Sequence, residues 1–169
     1  MKTGLIIGKF MPLHKGHMAL IEFAVGQCDE LIVLVSASDD EPITGAQRLE
    51  WLEDLYKENS KVKPMMLNYD DLILSDAEVT VSSEGLSKLW ANYLKEQLPP
   101  IDVIFASEAY GAYMSRFLNC EAVIYDEPCK IVPMSATQIR NDPFTYFNYL
   151  PDIVQAYYSQ KDDKGANTL

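Results

Sequence analysis

Both histidines of the chain lie in one ten-residue segment, Gly8-Lys9-Phe10-Met11-Pro12-Leu13-His14-Lys15-Gly16-His17. The segment follows an apolar run suited to a buried first strand, Leu5–Gly8. At a spacing of three, His14 and His17 can share one face of a helix. Gly8 permits close backbone approach, and Gly16 sits where a helix begins. A helix N-terminus offers free backbone N–H groups and a positive dipole end, which together seat phosphate. Each imidazole can donate a hydrogen bond to a phosphate oxygen, and a nearby polyphosphate would favour its charged form. Lys9 stands beside them. The chemistry expected is binding and neutralisation of a polyphosphate. Two histidines can also simply cap or pack a helix. As a zinc site they are weak, with no third ligand nearby, so no resident metal is expected.

Far downstream, Met134-Ser135-Ala136-Thr137-Gln138-Ile139-Arg140 reads as another helix start. Ser135 and Thr137 bring hydroxyl and N-cap capacity. Arg140 brings a guanidinium suited to phosphate oxygens. Alone, this stretch would be ordinary capping. Paired with the histidine segment it gains meaning.

The first segment resembles the glycine-and-histidine signature of the HIGH-type nucleotidyltransferase superfamily, and the second resembles that superfamily's Ser-x-Thr-x-x-Arg element. Ser135 to Pro151, and Ser107-Glu108-Ala109-Tyr110-Gly111 after a buried run, are similar to the adenylyltransferase domain of NadR-type nicotinamide mononucleotide (NMN) adenylyltransferases. That resemblance covers nearly the whole chain. It implies transfer of AMP from ATP, with Mg²⁺, to NMN, giving NAD and pyrophosphate. It also implies roles for His14, His17, Lys9 and Arg140 in catalysis at the phosphates. Gly8, Phe10, Met11, Gly16, Arg48, Ser135 and Thr137 would bind ATP. Trp90 and Ser107 would hold the acceptor, Trp90 by stacking its flat π face on the pyridinium. Arg48 can instead be a solvated helix charge, and Trp90 a core anchor. Phe144, Tyr146, Phe147 and Tyr149 read as an aromatic-rich, largely core stretch. Other acceptors, nicotinate mononucleotide or phosphopantetheine among them, stay open, as does a non-catalytic nucleotide sensor. A truncated class I tRNA synthetase would be longer and less acidic. No Gly-x-x-x-x-Gly-Lys-Ser/Thr loop is present, so kinase activity is not expected. The absence of an upstream helix-turn-helix likewise argues against a repressor role.

These residues need a scaffold, and the hydrophobic pattern supplies one. Leu31–Val35, Val62–Leu67, Ile101–Ala106 and Ala122–Tyr125 read as further strands. Between them lie helical patterns over His17–Cys28, from near Gly45, over Leu86–Leu94 and over Tyr110–Leu118. From Met134 onward the pattern is helical and aromatic, with Gln160–Leu169 expected to fray. The rhythm predicts an α/β, Rossmann-like, doubly wound parallel sheet of about five strands in a single domain over 1–169. Its ligands should bind at the carboxyl ends of the strands. Asn68–Ser83 reads as an irregular acidic excursion and a candidate lid.

The 169 residues are 48% hydrophobic and 23% charged, with a net charge of -11. That acidity excludes a nucleic-acid partner that needs a concentrated basic face. No run approaches the roughly 18 apolar residues of a membrane span. Three cysteines without metal-ligand spacing read as reduced thiols, which predicts a cytoplasmic protein. A homo-oligomer is compatible with the sequence.

Overall fold

The apolar runs become the strands they suggest. The computed structural model describes residues 1–72 and 84–166. Within them, β1 (Thr3–Gly8), β2 (Glu30–Ala37), β3 (Val62–Asn68), β4 (Val103–Ala106) and β5 (Glu121–Ile124) form one sheet in the order β3-β2-β1-β4-β5. Every pairing is parallel. The helices are α1 (Lys15–Val25), α2 (Gly45–Tyr56), α3 (Glu84–Gln97), α4 (Tyr110–Leu118), α5 (Glu127–Ile131), α6 (Ala136–Asn141) and α7 (Asp152–Ala166). Single 3₁₀ turns lie at Tyr69–Leu72 and Phe147–Tyr149.

Alternation along each strand divides the core into two. Ile6, Val33, Val35 and Phe105 face one layer with Leu20 and Ile21 of α1, Trp51 and Leu52 of α2, Ile139 of α6 and Val154 of α7. Leu5, Ile7, Ile32, Leu34 and Ile104 face the other, with Trp90, Ala91 and Leu94 of α3 and Met114 of α4. A sheet covered on both faces explains why β2 is continuously apolar rather than alternating. After β3 the chain crosses back to place β4 on the far side of β1. The switch point therefore lies between β1 and β4, and the crevice at their carboxyl ends is where such folds bind ligands.

Helix α2 packs close to the sheet at its first residue. A Cβ on Gly45 would stand 2.5 Å from the Ala37 Cβ and 2.6 Å from the Met66 Sδ. Gly45→Ala is expected to destabilise the fold by about 1–3 kcal/mol through overpacking, measured by urea unfolding. A neutral result would mean that α2 can shift away from β2 freely.

The structure departs from the sequence reading in three places. Helix α5 was not anticipated; it is five residues long with Pro128 in its first turn, too short for helical periodicity to register. The stretch after Met134 is not one helical pattern but α6, a 3₁₀ turn and α7. Asp142 precedes Pro143, leaves helical geometry at φ -145° and ψ 72°, and so ends α6 as pre-proline residues tend to. The tail expected to fray from Gln160 instead continues α7 to Ala166, with Asp152 in its first turn and Lys164 in its last complementing the helix dipole. Of the Asn68–Ser83 excursion, Asn68 ends β3 and Tyr69–Leu72 form a 3₁₀ turn. The remainder, 73–83, lies outside the described residues, as do 167–169 and the side chains of Leu86 and Leu89.

Candidate active site

The loop from β1 to α1 is held from beneath by Phe10, Met11 and Leu13, all buried. Phe10 has φ 50°, a left-handed conformation that costs a non-glycine residue roughly 1–2 kcal/mol. It places the Phe10 ring over Gly8, where a Cβ would sit 3.1 Å from the ring, and edge-on to His17 at 5.0 Å.

His14 is the N-cap of α1, and the two histidines form a reciprocal capping box. The His17 N–H donates to the Nδ1 of His14 at 3.4 Å, and the His14 N–H donates to the Nδ1 of His17 at 3.3 Å. The rings stack at 3.6 Å and 22°. A neutral imidazole whose Nδ1 accepts must carry its proton on Nε2. Folding thus selects one tautomer in both rings and leaves two Nε2–H donors. Burial pushes the His14 imidazole down to about 4. Burial, and then the neighbouring His14, holds His17 well below its ordinary value. Without a bound anion both are neutral near pH 7, and each offers its Nε2–H as a hydrogen-bond donor. Gly16 lies between them. A Cβ there would meet the His14 ring and the Pro128 carbonyl oxygen, each at 3.0 Å.

The depressed imidazoles have a measurable consequence. As pH falls below the ordinary value of 6.5, the unfolded chain takes up protons that the folded chain refuses until about pH 4 at His14. Stability should therefore fall across that window, by up to about 1.4 kcal/mol per pH unit for each excluded proton. Glu41, whose carboxyl is held below 4.5, contributes only at more acid pH. Unfolding free energies at pH 7 and pH 5 should differ more for the wild type than for His14→Gln. Equal differences would show that His14 protonates freely in the folded state.

At the carboxyl end of β2 a second cluster forms around Glu41. Its carboxylate accepts from the Lys9 ammonium at 2.9 Å, the Tyr69 hydroxyl at 3.1 Å and the Ser38 N–H at 3.1 Å. It also pairs with the Arg48 Nη2. Burial alone would raise the Glu41 pKa, but the Lys9 and Ser38 hydrogen bonds and the Arg48 charge outweigh it and lower the value. At Lys9 burial alone would lower the pKa, yet Glu41 and Tyr69 more than offset it, and the value is raised.

Arg48 is 0% exposed, which excludes the solvated helix charge. Its guanidinium donates to the carbonyls of Lys9 at 2.8 Å, Ser36 at 3.2 Å and Thr44 at 3.2 Å. It binds protein oxygens from the ends of β1 and β2 and the start of α2.

Ser135 caps α6 in a second capping box, with Gln138. Arg140, half-buried, donates to the Met11 carbonyl and, at 3.1 Å, to the Thr137 hydroxyl. The two sequence segments, 129 residues apart at this contact, are thereby joined beside the histidines. Ser107, half-buried, directly follows β4. The buried Tyr110 hydroxyl donates to the Ile7 carbonyl at 2.7 Å. Burial, followed by the Glu108 charge, raises its pKa, so the hydroxyl stays a donor.

Trp90 lies apart from the histidines, 2% exposed in the second core layer. Its indole N–H has no hydrogen-bond partner among the described residues. Tyr69 packs against it at 6.1 Å and 67°. Of the four aromatics between Arg140 and Pro151, Tyr146, Phe147 and Tyr149 pack against the first core layer, whereas Phe144 is 50% exposed.

Sequence reasoning missed Glu41, Tyr69 and Tyr110. Glu41 and Tyr69 sit in stretches with no periodicity. The signal that could have found Tyr110 is its place at a helix start just past a buried strand.

The profile of the cytidylyltransferase-like family matches residues 5–142. The chain is 31% identical over 170 residues to the trifunctional NAD biosynthesis/regulator protein NadR of Escherichia coli, covering 92% of the chain and 40% of that relative. It is 28% identical over 147 residues to the nicotinamide-nucleotide adenylyltransferase of Pyrococcus furiosus, covering 83% and 72%. A crystal structure of NadR in complex with NAD and AMP-PNP superposes with a TM-score of 0.68 at 23% identity, over 90% of the chain and 45% of that one. The chain thus spans about 40% of the length of the NadR relative.

Proposed function

The chain belongs to the cytidylyltransferase-like family, and on that premise we propose that it transfers AMP from ATP to NMN, giving NAD and pyrophosphate. The carrying observation is the histidine capping box, which sets two Nε2–H donors at the carboxyl end of β1 beside the switch point. The relatives named as nicotinamide-nucleotide adenylyltransferases support NMN as acceptor.

In this reading the 5′-phosphate of NMN attacks the α-phosphorus of ATP in line, and pyrophosphate leaves. The attacking phosphate is already anionic, so neither a covalent nucleophile nor a strong base is needed. Catalysis is positioning and charge stabilisation, and orientation alone is worth roughly 7–11 kcal/mol in favourable cases. His14 and His17 donate to phosphate oxygens without a proton changing hands. Lys9 supplies the positive charge they lack, and Arg140 reaches the β/γ end. Gly8, Phe10, Met11 and Gly16 shape the ATP wall, Ser135 and Thr137 hold α6 and Arg140, and Trp90 and Ser107 lie on the acceptor side. Magnesium enters with ATP as part of the substrate; among the described residues no group of three or more His, Cys, Asp or Glu is assembled to bind a metal. No helix among them is long and apolar enough to cross a membrane; the cytoplasmic reading rests on the three cysteines taken as reduced thiols.

The test is pyrophosphate release from ATP and Mg²⁺, run in parallel with NMN and with nicotinate mononucleotide. Release with NMN well above that with the acid is expected. Release with neither would overturn the assignment.

A further inference from the structure

We propose that Tyr69 couples the two halves of the cleft, so that ATP on the phosphate side frees the face of Trp90 for the acceptor. The inference rests on the reading of Lys9 as a phosphate ligand and Trp90 as the acceptor's stacking partner.

Tyr69 opens the 3₁₀ turn that follows the carboxyl end of β3. Its hydroxyl sits inside the Lys9–Glu41 pair, donating to Glu41 at 3.1 Å and accepting from the Lys9 ammonium at 3.4 Å. The same ammonium lies 5.5 Å from the centre of the Tyr69 ring. The ring in turn meets Trp90 edge-on at 6.1 Å. One half-buried side chain therefore touches the phosphate-side cation through its hydroxyl and the acceptor-side indole through its ring.

At 2% exposure, Trp90 has no free face for a pyridine ring, so a covering group must move before stacking. Tyr69 is held by partners that ATP competes for. A triphosphate draws the Lys9 ammonium away from Glu41, and with it go one hydrogen bond and the cation–π contact. The tyrosine hydroxyl is then kept by Glu41 alone, and displacement of the ring from Trp90 becomes easier. A ligand shifts such an equilibrium by its differential affinity for the two arrangements, and the coupling is reciprocal. Tyr69 is thus a positioning residue, acting through Lys9 and Trp90.

The test measures NMN affinity by calorimetry with and without a non-hydrolysable ATP analogue and Mg²⁺. The wild type should bind NMN roughly tenfold tighter with the analogue, within the usual span of allosteric coupling. The analogue should bind tighter with NMN by the same factor. Tyr69→Phe keeps the ring and removes the hydroxyl. Its coupling should fall towards one, because NMN binds more tightly in the absence of the analogue, which mere loosening of the fold would not produce. A second readout uses the emission of Trp90 in a Trp51→Phe background, since the chain has two tryptophans. The analogue alone should change that emission with Tyr69 present and change it less in Tyr69→Phe. Wild-type turnover with NMN affinity indifferent to the analogue would overturn the coupling and leave the function standing, as would coupling undiminished in Tyr69→Phe. A wild type that neither binds NMN nor releases pyrophosphate with it would overturn both.

Discussion

Replacing His17 by alanine is expected to lower kcat about 10²–10³-fold, the loss typical when one preorganised donor to a developing anion is removed. His17 contributes a Nε2–H whose direction is dictated by the helix cap on its other nitrogen. It is also braced by the Phe10 edge and by the stacked His14 ring. Little of that rigidity depends on bound substrate, so the deficit should appear in kcat more than in the KM for ATP. A drop confined to KM would mean that His17 binds ground state and transition state alike. A His17→Ala enzyme with near-normal turnover would remove the histidines from the mechanism. Circular dichroism and thermal unfolding of the variant separate this loss from collapse of the α1 terminus, since the cap itself is worth about 1 kcal/mol.

For stability the largest loss is expected from Arg48→Met, about 3–5 kcal/mol, out of a total that for ordinary domains is only about 5–15 kcal/mol. The methionine fills similar volume but takes the side-chain donor from the carbonyls of Lys9 and Ser36 and the paired cation from Glu41, while Thr44 keeps only the backbone N–H of residue 48 and that Glu41 oxygen only the Ser38 N–H. Lysine should rescue little, because a single ammonium cannot reproduce the planar fork that reaches four acceptors. Urea unfolding of the two variants decides the point. A cost below about 1 kcal/mol for Arg48→Met would mean that water replaces the guanidinium, which a 0% exposed side chain speaks against.

The parallel sheet was legible because β2 and β4 are buried on both faces, and burial of that kind writes itself as an unbroken apolar run. The histidine segment was legible for a different reason: two rare residues at helical spacing stood directly after the first strand. What escaped was whatever depended on a partner distant in sequence. Arg48 is marked only by the family resemblance, and its own segment reads equally as a solvated helix charge, because the carbonyls of Lys9 and Ser36 that it holds are announced by no side-chain pattern. Glu41 and Tyr69 lie in polar turns, and only the strand order brings them to the same ammonium. Trp90 was recognised as important, but whether its ring faces a ligand or the core follows from how α3 seats on the sheet, and in this structure it is covered. Helix α5 and the break at Pro143 were lost to length and to a local steric rule that periodicity does not report.

The histidine capping box has an electronic side as well. Each imidazole lies in series between a backbone amide of the first turn of α1 and whatever accepts from its Nε2–H. An anion pulling on that proton enriches the opposite nitrogen and makes it a better acceptor, so the amide bond shortens as the phosphate bond forms. Ligand and helix end then polarise each other through the same ring. A phosphate accepting from either ring would spend part of its binding energy in tightening the first turn of α1, and amide protection there would gauge occupancy of the site.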